Sequence, residues 1–297
     1  MKRLAVCALL IAAHATHAQQ VPDRGYAPAI ARPLYSPDKG PIVCVDEAHA
    51  NFHTLGERFF AFGELLRRDG YRVMPGTRMF AADALGACAV LVISNARAAP
   101  ESGSPSAFTD AEISAVHAWV EQGGALLLIA DHMPFGRAAQ GLAAAFDVEF
   151  TNGFALRDPQ SDAPDLFRLE DHTLRAHAVT RGRNKHEAVT RVRTFAGQAF
   201  RAPRAQALLL FPRGYSSLAP DKPWVFTEQT PRIPVAGWLQ GAVQFDGKGR
   251  AAFFGEAAMF SAQFSGPERE PAGMNAPGAE QNFQLVLNLL HWLTGKL

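Results

Sequence analysis

Cysteine is scarce in this chain, and the glycine-rich signatures of nucleotide binding are missing. Three cysteines occur in 297 residues, and one of them, Cys7, lies in the N-terminal apolar run. Cys44 and Cys88 remain, in or beside the runs IVCV and ACAVLVI. They read as two buried thiols, with a disulfide as the alternative in an oxidising compartment. Neither sits where a nucleophile on an exposed turn would sit. No G-x-G-x-x-G or Walker A stretch occurs, so no nucleotide is expected. Ser94 and Ser261 lack a G-x-S-x-G setting, which argues against a serine elbow. Charge of either sign is not in excess: the formal net charge is +1. That gives no global pull toward nucleic acid or a membrane surface. The densest basic stretch, Arg181 to Arg193, is broken by Glu187 and by apolar residues. It reads as a solvated face. Beyond the N-terminus, no apolar run approaches the roughly twenty residues that span a bilayer. Repeats and low-complexity segments are also lacking.

What is present starts with a targeting signal. MKR is a positive n-region, LAVCALLIAA an apolar h-region, and Thr16 and Ala18 supply small residues at a cleavage point. Residues 1–18 are therefore expected to be removed and the protein to be periplasmic or secreted. Residues 19–40, rich in Pro and Gly, read as an extended lead-in. From residue 41 to 297 a single α/β domain is expected.

Its strands and helices alternate. PIVCVD reads as a buried parallel strand, and YRVM, ACAVLVISN and ALLLIADH read as the second, third and fourth strands. His53–Asp69 reads as a helix stopped by Gly70, and Thr109-Asp-Ala-Glu112 as a capping box that opens a helix through Val120. Ala138–Phe146 and Gly278–Thr294 read as two more helices. This alternation implies a mostly parallel sheet. Over about 151–235 it is lost, and short pieces such as VEFTNGF, AVTRVRTFAG, ALLLFP and PWVFTE suggest irregular, antiparallel additions at one edge. VAGWLQ then reads as a strand, and Asp246-Gly247 marks a hairpin turn.

The polar residues collect where such sheets bind ligands, at the carboxyl ends of the strands. The first strand runs into Asp46, Glu47, His49, Asn51 and His53. The third ends at Asn95, the fourth at Asp131-His132, and the late strand AAFFGE at Glu256. Glu47, Asp131 and His132 are the candidate catalytic groups: a carboxylate base, with His132 to orient or donate. Asp46, His49, Asn51, His53, Asn95, Gln198 and Glu256 are the candidate ligand contacts. His49, His53 and Asp131 are candidates to hold a divalent metal. The competing reading is that Asp46 and Glu47 only cap the following turn and helix.

Several stretches resemble a known group: VDEAHANFHT, GGALLLIADHMPF, TFAGQAF, GRAAFFGEAAMFSAQ and GMNAPGAEQNFQLVLNLLHWL. They resemble an uncharacterised bacterial set within the class I glutamine-amidotransferase-like superfamily, near the ThuA-like (trehalose-utilisation-like) proteins. The resemblance implies a flavodoxin-like doubly wound sheet. It also implies a cysteine on the turn after ALLLIA, where this chain has Asp131-His132-Met133. Glutamine hydrolysis through a thioester is therefore excluded. The expected function is a hydrolase without a cysteine nucleophile, acting on a small polar or carbohydrate-like ligand. The alternatives are a non-catalytic binding module, and an envelope interaction protein that uses residues 151–235. The oligomeric state is left open.

Overall fold

A computed structural model describes residues 20–297, so the signal sequence expected at residues 1–18 lies outside the described residues. The strands of the principal sheet are β1 (Ile42–Asp46), β2 (Arg72–Gly76), β3 (Val90–Ser94), β4 (Ala125–Ile129), β5 (Glu149–Phe150), β6 (Phe200–Arg201), β7 (Gln206–Leu210), β8 (Leu239–Asp246) and β9 (Gly249–Phe254). Their order is β2-β1-β3-β4-β9-β8-β6-β5, with β7 also paired to β8. From β2 to β9 every pairing is parallel; from β9 outward every pairing is antiparallel.

The composition of the inner strands explains their place. VLVIS and ALLLI are buried at every position, as expected of strands covered on both faces. Alternate side chains feed two apolar layers. Val43, Val45, Val90, Val92, Leu127 and Ile129 enter one, together with helices α1 (Phe60–Arg68) and α4 (Asn282–Leu293). Leu91, Ile93, Leu126 and Leu128 enter the other, against α2 (Asp110–Glu121) and α3 (Phe135–Ala144). Each such aliphatic side chain contributes about 1.5–3 kcal/mol by leaving water. None of the helices described is long and apolar enough to cross a membrane.

Several boundaries differ from expectation. Helix α1 begins at Phe60 rather than His53. The intervening turn is held by Leu55 N–H donating to Glu47 Oε1 and Phe59 N–H donating to the Thr54 carbonyl. Helix α3 starts earlier than expected, directly after Pro134, a residue suited to a helix start. In VAGWLQ only Leu239 and Gln240 belong to a strand, and PWVFTE forms none. Asp246-Gly247 does turn the β8–β9 hairpin, with Gly247 at φ +56°. Cys44 and Cys88 are not free thiols. They form a disulfide with Cα atoms 5.7 Å apart, joining β1 to the segment that leads into β3.

The lead-in is tied down. Val21–Pro22 pairs antiparallel with Phe264 and Gln263. Leu34 N–H donates to Asp69 Oδ1 at 2.8 Å, and that carboxylate also meets His291 Nε2 at 2.6 Å.

Candidate functional site

Strand register places the polar clusters on one rim. Ser94 pairs with Ile129, and Phe254 pairs with Ile129 from the other side. The chain therefore leaves β3, β4 and β9 at the same level, and β1 ends beside them. Asn95, Asp131 and Glu256 follow directly. The rim nonetheless divides into two parts with different chemistry.

After β1, the polar side chains are spent on one another. His49 Nδ1 lies 2.9 Å from Asp46 Oδ1, and His49 Nε2 lies 2.9 Å from Glu112 Oε1. Asn51 Nδ2 donates to Asp46 Oδ2, and Asn51 Oδ1 accepts from His49 N–H. The His49 ring is flanked by Phe80 and Phe108, with centroids 4.5 and 4.8 Å away. Burial opposes a charge on His49, but the hydrogen bonds and charges of Asp46 and Glu112 outweigh it and raise its pKa. Burial likewise pushes Glu112 up, and the Thr109 N–H, His49 and Phe80 N–H bonds bring it below its ordinary value. Both partners shift in the direction of an ion pair. This is a sealed Asp46–His49–Glu112 triad.

His49 therefore has no lone pair to offer a metal. His53 is buried as well, with Nδ1 3.2 Å from Ser94 Oγ, and burial together with the Arg58 charge pushes it down to about 3. Asp131 stands apart from both in a separate network. The expected metal set of His49, His53 and Asp131 does not assemble: among the described residues no group of three or more His, Cys, Asp or Glu is arranged to hold a metal ion. Glu47 spends Oε1 on the Leu55 amide at 2.7 Å, which is the capping role.

After β4 and β9 the arrangement is different. Asn95, at φ +49°, accepts the Asp131 N–H on Oδ1 at 2.8 Å. Asp131 Oδ1 accepts the His132 N–H, and Oδ2 accepts the Ala257 N–H. Gln198 donates through Nε2 to the carbonyls of Ala130 and Asp131, at 2.8 and 2.9 Å. Its own backbone is set by Gly197 at φ +87°, packed against the Gly255 carbonyl. Glu256 is fully buried and accepts from the amides of Ala258 and Met259. Burial first and the Asp131 charge second raise its pKa well above the usual carboxylate range, against the pull of those two amides. Asp131 and His132 keep some contact with solvent, their side chains being 12% and 17% exposed.

His132 Nδ1 lies 2.9 Å from the Met133 carbonyl. A carbonyl only accepts, so Nδ1 carries a proton and Nε2 is the ring nitrogen not committed to that bond. Nε2 lies 3.8 Å from Asp131 Oδ1. The ring stacks on Phe154 at 4.4 Å and meets Trp224 edge-on at 4.7 Å. Trp224 is 56% exposed and sits at φ +65°. A partly exposed carboxylate and a free imidazole nitrogen beside an exposed indole make a surface that is polar on one side and flat and apolar on the other.

Glu112 was legible as a helix cap but not as the partner of His49. Trp224 and Phe154 carried no signal, because only the fold of residues 151–235 brings them to the rim. A groove of about 700 Å³ opens elsewhere, at the antiparallel edge near Arg201 and Trp238, and includes none of the rim residues.

No protein-family model matches the chain, and no curated protein sequence does. Solved structures do match. The mmIFT52 N-terminal domain aligns over 85% of this chain and 97% of its own, at 14% identity and a TM-score of 0.60. A ThuA-like protein from Bacteroides uniformis covers 90% of this chain and 94% of its own, at 14% identity and a TM-score of 0.47. One from Parabacteroides merdae covers 86% and 91%, at 10% and 0.45. At such identities the first likeness establishes a shared α/β fold and nothing about activity.

Proposed function

We propose that this is an exported protein whose rim binds a small polar, carbohydrate-like ligand at Asp131 and His132. The observation that carries this reading is the contact of His132 with the exposed Trp224, beside the Asp131 carboxylate. A sugar ring presents an apolar face to an indole and hydroxyls to a carboxylate and an imidazole. Asn95 and Gln198 act as positioning groups that anchor the turn carrying Asp131, and Glu256 holds the amides of Ala258 and Met259 in the neighbouring loop.

A second reading concerns chemistry. With Nδ1 held by the Met133 carbonyl, His132 Nε2 is the ring nitrogen left to exchange a proton with water. That makes a hydrolase without a cysteine nucleophile the activity this pair supports best. Glu256, whose pKa is raised by burial and by the Asp131 charge, and the more accessible Asp131 resemble the separated carboxyl environments of acid–base sites.

Export is supported by the Cys44–Cys88 disulfide, which favours an oxidising compartment. A doubly wound, flavodoxin-like scaffold of the amidotransferase-like kind is supported by the order β2-β1-β3-β4-β9, with helices on both faces.

The test is a screen of neutral and acidic sugars, esters and glycosides by thermal shift and by product release. Wild type is compared with Asp131→Asn and His132→Gln. Binding that both variants lose supports the site. Turnover lost in His132→Gln with binding retained supports the hydrolase. Ligands that bind all three proteins alike reject the rim as the site.

A further inference from the structure

In a sheet ordered β2-β1-β3-β4, the connection from β1 leaves to one side and the chain after β3 leaves to the other. The crevice at this reversal is where open α/β sheets seat ligands. Two arginines stand over it. Arg58 follows β1, and Arg97 follows β3.

Both guanidinium groups are oriented by carbonyls of the same loop. Arg97 Nε donates to the Ala50 carbonyl at 2.7 Å, and Arg58 Nη1 donates to the Phe52 carbonyl at 3.3 Å. The loop itself is stapled to the end of β3: Phe52 N–H donates to the Asn95 carbonyl, and Arg97 N–H to the His49 carbonyl. Arg58 also lies over the Phe52 ring, 3.8 Å from its centroid. Phe52 contacts Phe135, and Phe135 contacts His132. A line of rings thus joins Arg58 to the candidate site.

Neither arginine forms an ion pair among the described residues. No carboxylate lies within ion-pair distance of Arg58 or Arg97 among the described residues, and Arg58 Nε is buried without a partner. The acidic neighbour Glu57 is adjacent in sequence. Burial lowers the Arg58 pKa, Glu57 opposes this, and the charge of Arg97 lowers it further. Holding two like charges together is unfavourable unless something negative joins them.

We infer that the ligand of this rim carries an oxyanion, a carboxylate or a phosphate, and that Arg58 and Arg97 receive it. The inference rests on the proposed binding site and adds the ligand's charge class. Arginine suits the task because its planar fork matches an oxyanion with two parallel N–H donors.

The test is calorimetric titration of the full chain with glucuronate, glucose 6-phosphate and glucose, repeated on Arg97→Gln, Arg58→Lys and Asp131→Asn. Arg97 is exposed, so Arg97→Gln is expected to unfold at the wild-type midpoint. The expected result is that at least one anion binds tenfold or more tightly than glucose. Which anion gains identifies the oxyanion as carboxylate or phosphate. Arg97→Gln then weakens that anion about tenfold and leaves glucose unchanged, and Arg58→Lys weakens it less. Equal binding of all three sugars, unaltered by Arg97→Gln but lost in Asp131→Asn, overturns the inference and leaves the site standing. No binding by any of the three overturns both.

Discussion

His49 Nε2 meets Glu112 Oε1 at 2.9 Å across 63 residues of chain, while Nδ1 of the same ring meets Asp46 at 2.9 Å. The triad ties the end of β1 to the first turn of α2. His49 has a folded pKa above 6.5, so its stabilisation is complete below that pH and is lost as pH rises through the folded value. Glu112 has a folded pKa below 4.5, so its share is present above 4.5 and is lost as pH falls through the folded value. Stability attributable to the triad is therefore greatest at mildly acidic pH. His49→Gln should cost about 3–5 kcal/mol there, because it strands a buried carboxylate, and should flatten the fall in melting temperature between pH 6 and 9. Melting curves across that range check it. An unchanged slope in the variant would remove the triad as its cause.

That relationship also shows what was legible in the sequence. The inner strands β1, β3 and β4 were readable because their apolar runs are continuous, and the Thr109–Glu112 capping box was readable because its spacing is local. The division of the rim into a sealed half and an open half was not. Asp46, His49 and Asn51 look the same on paper whether they face a ligand or one another, and the deciding partner, Glu112, arrives from a distant helix. Trp224 was invisible for a related reason: no periodicity marks a loop whose position depends on tertiary packing. The sequence leaves Cys44 and Cys88 open between buried thiols and a disulfide, because spacing alone does not show that β1 and the approach to β3 are adjacent.

Gly197 offers a second prediction. Its φ is +87°, and a Cβ there would lie 2.3 Å from the Gly255 carbonyl oxygen. Gly197→Ala should cost about 1–3 kcal/mol from backbone strain alone. It should also displace Gln198, whose amide holds the Ala130 and Asp131 carbonyls. Urea unfolding reads the first effect, and ligand affinity at the rim reads the second. A variant with the wild-type unfolding midpoint would show that the loop adapts freely.

The Cys44–Cys88 disulfide closes a loop of 44 residues. Constraining the unfolded chain by such a loop is worth about 2–4 kcal/mol. Treatment with reductant, or the Cys44→Ala/Cys88→Ala pair, should lower the urea midpoint accordingly. The effect of reductant should vanish in the double variant. A midpoint insensitive to reductant in wild type would mean that the bond is absent or inaccessible, which alkylation and mass measurement of the denatured protein separates.

Trp224 supplies the last prediction, because its stability role and its ligand role separate cleanly. More than half of its surface is exposed, so Trp224→Ala removes little buried area and should change stability by less than about 1 kcal/mol. Of the four tryptophans it is the exposed one: Trp292 is buried, and Trp119 and Trp238 are half-buried. Acrylamide should therefore quench wild-type fluorescence more steeply than that of Trp224→Ala. A ligand stacked on the indole would protect the quenchable fraction, and the variant should bind that ligand about tenfold more weakly, with Trp224→Phe retaining part of the affinity. Trp224→Ala that binds as tightly as wild type, while Asp131→Asn does not, would confine the site to the polar side of the rim and remove the aromatic face from recognition.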